Sequence, residues 1–322
     1  RSEAFLADDH ARDVRFTAAL ALDAAGTFLA LQVRYDINLG AFLTRRSTGA
    51  ITNIGGIAGV YRTPLIAAEV YGVLTNTHPT TPYRGAGRPD ATFAIERLID
   101  VAAREVGIDP MELRRRNLIP AEAMPFKTGL NFEYDCGDFR ANMDAAEKRA
   151  DLAGFPARKA AAAKRGRLRG LGICNPVEAA GGPYGNPLPD NARLLVQGDG
   201  TAHLYSGAMS VGQGLETALT QMAADKLGIP LERVVYHQGD TDELGSGRGS
   251  GGSSGLCVSG SAVSLAVDET IATGAKLAAD HFEVAAADVE FKAGAFTVAG
   301  TGRSMSLAEA ARMAAASAGD NA

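Results

Sequence analysis

Three glycine-rich stretches carry the side chains best suited to chemistry. In Thr75–Pro89, Arg84 and Arg88 flank the turn Gly85-Ala86-Gly87, where a strand gives way to a helix. Free N–H groups at a helix start and two guanidinium forks suit a phosphate or another anion. The same residues also read as a tight turn with two solvated arginines. In Ser206–Thr217, Gln213 stands between Gly212 and Gly214 at a second strand-to-helix junction. Its amide can read the polar edge of a ligand while glycine backbone comes close. Alternatively the glycines serve a turn and Thr217 is an ordinary early-helix residue. In Gly245–Gly255, the span Gly247 to Gly252 spells G-x-G-x-x-G. The loop is longer than the dinucleotide-binding pattern and lacks its βαβ setting and its later acidic residue, so a flexible linker is the other reading.

Other chemistry is less well supported. The five histidines, at 10, 78, 203, 237 and 281, show no metal-ligand spacing,. No G-x-S-x-G elbow and no Gly-Lys-Ser/Thr phosphate loop occurs,. Asp240 and Asp242 sit two apart on a turn and read as structural. Cys136, Cys174 and Cys257 read as small buried residues or bystanders,. No catalytic residue and no protein-ligated metal is assigned.

These stretches need a scaffold. The chain has 322 residues, which suits about two domains at ~150 residues each,. Its 32 Lys and Arg against 37 Asp and Glu leave a formal charge of −5, a poor balance for nucleic acid,. No run reaches the ~18 apolar residues of a membrane span. An odd cysteine count without CxxC suits a reducing cytoplasm. Glycine, at 38 residues, is about 12% of the chain against a usual ~7%,. The chain starts at Arg1 without Met and closes in an Ala-rich run, 308–318, so an internal piece of a longer polypeptide is expected.

The elements follow from periodicity. Phe16 to Leu22 and Leu29 to Ile37 alternate around a turn at Asp23–Gly26, which predicts a hairpin. A strand is expected over Glu69–Thr75 and a helix over Ala91–Val106, ended by Gly107. Asp109, Pro110 and Glu112 predict an N-capped helix with a capping box. Residues 141–168 read as a solvated helical connector, with a boundary near Arg165. The second half should open with a strand, Leu168–Asn175, and a Gly/Pro loop, Ala179–Pro189. A hairpin is expected over 192–206, a helix over Leu215–Leu227, a strand over Arg233–His237, a helix over Ser261–Phe282, and a capping box at Ser306 and Glu309. The expected class is α+β, as two mixed subdomains, 1–165 and 166–322.

Taken together, Tyr83-Arg84-Gly85-Ala86-Gly87-Arg88-Pro89, the helix with Ile95-Glu96-Arg97-Leu98, Asp109-Pro110 through Ile119, Val211 to Thr217, Gly239 to Asp242 and Gly251-Gly252-Ser253-Ser254 resemble the xanthine dehydrogenase/aldehyde oxidase family. Within it they are similar to the molybdopterin-binding large subunit, of the kind labelled carbon monoxide dehydrogenase large chain. The resemblance implies that the Arg84 loop, with Gly85 and Ala86, approaches the molybdenum centre, with Ala86 beside the substrate. It implies that Gly212, Gln213 and Gly214, with Thr217, contact the pterin, and that Gly251, Gly252 and Ser253 lie near the metal and the dithiolene. The glycine-rich loops would converge on the cofactor, and the pterin sulfurs would hold the metal.

The resemblance also implies a general-base glutamate in a Gly-x-Gly-Glu motif, expected beyond Ala322, and a glycine-rich segment before Arg1. The cofactor would be molybdopterin, in a form such as the cytosine dinucleotide, with [2Fe–2S] and FAD on partner chains and with other parts of the same subunit completing the site. Members that oxidise carbon monoxide place a copper-holding cysteine where this chain has Gly85 and Ala86. Purine-hydroxylating members carry an arginine near Thr52 and Asn53. The expected activity is thus that of a molybdenum hydroxylase on an aldehyde or an N-heterocycle, with the fragment inactive by itself. The alternatives are a carbon monoxide dehydrogenase large chain and an inactive binding or assembly module.

Overall fold

The computed structural model describes residues 2–44, 47, 49–181 and 189–319. After a helical turn, α1 (Ala4–Ala7), the alternation at the start of the chain forms the antiparallel hairpin of β1 (Val14–Leu22) and β2 (Phe28–Gly40). Asp23 shapes the turn, its Oδ1 accepting from the amides of Ala25 and Thr27 at 2.9 and 2.8 Å,. The glycine-rich stretch after it forms a short helix, α2 (Gly49–Thr52), and a 3-10 segment, Asn53–Ala58. The side chains of Thr52 and Asn53 lie outside the described residues. Next, β3 (Leu65–Leu74) joins β2 in parallel, which places it at the sheet edge.

Helix α3 (Arg88–Val106) packs Ala91, Ala94, Ile95, Ile99 and Ala102 onto this sheet's core with Leu31, Val33 and Tyr35. Gly107 ends it at φ 69°, as a left-handed cap requires,. Helix α4 (Pro110–Asn117) is capped by Asp109, which accepts from Met111 and Glu112 N–H. The capping box expected there does not close: Glu112 instead accepts from Arg116 Nε at 2.9 Å, one turn on. A two-residue ladder, β4 (Phe126–Lys127) with β5 (Glu133–Tyr134), leads into α5 (Phe139–Ala150) and α6 (Phe155–Ala163).

The strand expected over Leu168–Asn175 does not form. Among the described residues this segment has no β partner. Ile173 and Val177 pack against the core of the first unit, and Asn175 N–H donates to Glu96 at 3.3 Å. Tertiary contacts thus override a local alternation that finds no neighbouring strand. The chain divides into the units Arg1–Glu178 and Ala179–Ala322.

The second unit repeats the hairpin-plus-parallel-strand logic. Strands β6 (Ala192–Val196) and β7 (Ala202–Ser206) are antiparallel, and β8 (Val234–Gln238) joins β7 in parallel after α7 (Leu215–Leu227). Helix α8 (Gly260–Phe282) follows a π-turn at Gly255–Ser259. A small antiparallel sheet then forms from β9 (Val289–Lys292), β10 (Ala295–Val298) and β11 (Ser304–Ser306), before α9 (Leu307–Gly319). The Ser306–Glu309 capping box closes, with Ser306 N–H donating to Glu309 at 2.8 Å and Glu309 N–H to Ser306 Oγ at 3.2 Å. Most of the Gly/Pro loop expected over Ala179–Pro189, residues 182–188, lies outside the described residues.

One expectation about apolar runs needs correction. The helical run Gly255–Phe282 is long and apolar enough, by length and composition, to cross a membrane. It carries Asp268, which pairs with Lys226 at 2.7 Å, and it packs Val263, Val267 and Ala278 into the second core. Leu256 and Leu265 on the same run stay exposed, so only part of its apolar surface serves that core,.

Candidate functional site

In the first unit the loop after β3 enters α3 through three consecutive left-handed residues: Gly85 at φ 81°, Ala86 at 54° and Gly87 at 101°. For Ala86, which has a Cβ, that conformation costs roughly 1–2 kcal/mol. Local bonds hold it: Ala86 N–H donates to Tyr83 C=O at 3.1 Å and Arg88 N–H to Gly85 C=O at 3.0 Å. The Arg84 side chain is exposed and has no partner among the described residues. Gly87, the N-cap of α3, gives the helix no side-chain cap.

In the second unit the structure joins the other two glycine-rich stretches. Gln213 Nε2 donates to Met209 C=O at 2.9 Å and to Ser250 Oγ at 3.0 Å, while its Oε1 accepts from Val211 N–H at 2.6 Å. The amide expected to read a ligand is engaged inside the protein and knits the loops together. Gly249 N–H donates to Gly207 C=O at 2.8 Å. A Cβ on Gly247 would lie 2.6 Å from Gly207 Cα, so the loops touch backbone to backbone. The 245–255 stretch is therefore built structure; the flexible-linker reading fails because its backbone is bonded.

Sequence reasoning missed Asp190. Its Oδ1 accepts from Asn191 N–H at 2.9 Å and Arg248 N–H at 3.4 Å, and its Oδ2 accepts from Ser259 Oγ at 2.5 Å. It ties the glycine loop to the start of α8 from 58 residues away, a distance at which no local pattern signals. Gly212 and Gly214 hold φ 99° and 84°, with open space where a side chain would be. Thr217 is exposed on the first turn of α7. Gly252 and Ser253 are left-handed at φ 63° and 52°, and Ser254 donates to Gly251 C=O at 2.7 Å.

The remaining candidates are structural. Asp242 N–H donates to Asp240 Oδ1 at 3.0 Å, an Asx turn,. All three cysteines are free and exposed, which excludes the buried reading and leaves the bystander one. Hydrogen bonding to Asp135, then its charge, pushes the Cys136 thiol up. Among the described residues no group of three or more His, Cys, Asp or Glu is placed to hold a metal ion.

Two family models, both described as "molybdopterin cofactor-binding domain", match residues 1–118 and 145–321. The chain belongs to the molybdopterin cofactor-binding domain family. It is similar to the 6-hydroxypseudooxynicotine dehydrogenase complex subunit gamma of Paenarthrobacter nicotinovorans, 32% identical over 97% of this chain and 39% of the relative. It is 32% identical to a carbon monoxide dehydrogenase large chain of Hydrogenophaga pseudoflava, over 90% of this chain and 38% of the relative. The crystal structure of quinoline 2-oxidoreductase from Pseudomonas putida 86 superposes with a TM-score of 0.86 at 32% identity, over 97% of this chain and 41% of that one. The chain thus spans about two fifths of the length of these relatives.

The second unit of this molybdopterin-binding chain fits such a cofactor on its own geometry. Arg248 Nη1 is buried without a hydrogen-bond partner among the described residues. A cation so placed calls for an anion. The same loops present glycine backbone with open space above Gly212 and Gly214, where a bulky planar ligand can approach,.

Proposed function

We propose that this chain is part of the large subunit of a molybdenum hydroxylase that oxidises an N-heterocycle or an aldehyde. When bound, the cofactor supplies the molybdenum centre that accepts an electron pair from the substrate. The observation that carries the reading is the joined loop pair of the second unit, with Gln213 bonded to Ser250 and, beside them in sequence, the Arg248 nitrogen that has no partner among the described residues. There Gly212, Gly214, Gly251, Gly252 and Ser253 offer backbone to the pterin, and Gln213 holds that backbone in shape. Thr217 stands on the adjoining helix turn. In the first unit we assign the exposed guanidinium of Arg84 and the turn of Gly85 and Ala86 to contact with the cofactor and the substrate.

Gly85 argues against a copper-holding thiolate at that position. A Cβ there would lie 2.7 Å from Pro89 Cδ, on backbone at φ 81°, so no cysteine fits without moving the turn. One relative, the nicotine 6-hydroxylase large subunit of Paenarthrobacter nicotinovorans (31% identical over 97% of this chain and 40% of the relative), and a neighbour named for quinoline oxidation support a heteroaromatic substrate. The general base would come from the remainder of the subunit. The proposal extends to the cytosine dinucleotide form of the cofactor and to iron–sulfur and FAD partner subunits that take the electrons onward. Exposed free thiols suit a reducing compartment, and we place the protein in the cytoplasm,.

The test is elemental analysis and pterin fluorescence on the intact subunit purified with its partners. Near-stoichiometric molybdenum without copper is the expected result. A subunit without molybdenum or pterin, from a host that makes the cofactor, would leave an inactive binding module.

A further inference from the structure

We propose that Arg12 is the positioning residue of the Arg84 loop, pinning two successive peptide planes so that the N–H groups of Arg84 and Gly85 form a donor pair for an anionic oxygen. Arg12 Nη2 donates to the carbonyls of both Tyr83, at 2.7 Å, and Arg84. In a planar trans peptide the C=O and the following N–H point in opposite directions. Fixing those two carbonyls toward Arg12 turns the N–H groups of Arg84 and Gly85 away from it. Neither N–H has a partner among the described residues.

The rest of the geometry supports this role. The guanidinium lies over the Tyr83 ring, 5.7 Å from its centroid, and Arg12 Nε stands 3.8 Å from Asp90 in the first turn of α3. One planar fork therefore meets both sides of the turn, the carbonyls before it and the helix after it, which a single ammonium cannot do. Arg12 itself is left-handed at φ 64°, a strained conformation for an arginine that neighbouring contacts must hold,. The strap before it is fastened: His10 N–H donates to Pro79 C=O, and Thr81 N–H to His10 C=O, both at 2.9 Å. The cavity between Arg12, Tyr83, Ala86 and Asp90 is only about 10 Å³, room for one water at most,. Arg12 therefore acts on the backbone of the loop, while the donors it orients face elsewhere.

The proposal rests on the cofactor-binding reading for what the donor pair meets, and the experiment separates the two. Arg12→Ala and Arg12→Lys are made in the full subunit with its partners. Arg34→Ala, which removes another exposed arginine stacked on a tyrosine (Tyr71, 4.4 Å), is the control. Hydrogen exchange is read at the amides of Ala86 and Arg88. Arg12→Ala should exchange about tenfold faster there, with Arg12→Lys between it and wild type. The control should match wild type. In the loaded enzyme, kcat should fall about tenfold while KM moves by less than about twofold. Unchanged exchange in Arg12→Ala, or in Arg12→Lys where Arg12→Ala does not fold, overturns the proposal. Wild-type subunit lacking molybdenum and pterin overturns the cofactor reading alone, and the exchange data still judge Arg12.

Discussion

Gln213 and Ser250 meet through Nε2 and Oγ at 3.0 Å, and both also donate to the carbonyl of Met209. Two loops 37 residues apart are thereby one structural unit. An exposed side chain with all its amide bonds inside the protein contributes shape to its surroundings, because its bonds compete with water on nearly equal terms.

Gln213→Ala should therefore affect the cofactor more than the fold. The lost bonds are exposed, so stability should fall by no more than about 1 kcal/mol. Molybdenum and pterin content of the purified subunit should fall severalfold as Val211 and Ser250 lose their common partner. Equal cofactor content in mutant and wild type would count against the joined loops as the binding unit.

Gly247→Ala and Gly212→Ala should differ. At Gly247 a methyl group would meet Gly207 backbone at 2.6 and 2.7 Å, and backbone cannot swing aside. At Gly212 nothing lies within 4 Å, and only the left-handed φ of 99° penalises a side chain, by about 1 kcal/mol,. Thermal denaturation should show the larger loss for Gly247→Ala. Cofactor content should fall in both, because a methyl at Gly212 fills the space offered to the ligand.

The local parts of this architecture were legible in the sequence and the long-range ones were not. Both hairpins, the limits of α7 and the Gly107 cap follow from alternation and turn chemistry within a few residues. Asp190 gave no signal, since its partners Arg248 and Ser259 are brought to it by packing. The strand expected at 168–175 had a strand's pattern without a neighbour to pair with. Glu96 was visible in its motif, but its burial was not, because a carboxylate on a helix reads as solvated. The β9–β11 sheet escaped notice because its strands are three or four residues long.

Glu96 leads to a strong prediction for stability. It is 5% exposed, accepts from Tyr61 Oη at 2.9 and 3.0 Å, and pairs with Arg114 Nε at 2.8 Å. Arg114, 1% exposed, also donates to the Glu96 and Pro110 carbonyls and pairs with Asp100 at 2.9 Å. Burial, then the charge of Glu96, pushes the Tyr61 hydroxyl far up, so it stays a neutral donor. Arg114→Met leaves Glu96 buried without its cation and should cost about 3–5 kcal/mol in denaturant unfolding. Replacing Glu96 by Gln in the same chain should recover part of that loss. A single-mutant cost below 1 kcal/mol would contradict the burial.

Asp90 supplies a prediction with a sign in pH. Its side chain is 18% exposed, and burial raises its carboxyl above the ordinary value although Arg12 and the helix backbone pull it down. A carboxyl whose folded pKa lies above its unfolded one binds its proton more tightly when folded. Its contribution to stability is therefore fully present below the unfolded value and is lost as pH rises through the folded one. At neutral pH the buried charge opposes folding, so Asp90→Asn should raise Tm, by about 2 °C. The gain should vanish in acid, where wild-type Asp90 is itself protonated. In an Arg12→Ala background the gain at neutral pH should grow, because the cation that partly offsets the burial is gone. Thermal melts across pH on the four combinations check this, and an Asp90→Asn gain that persists in acid would assign the effect to something other than the carboxylate's charge.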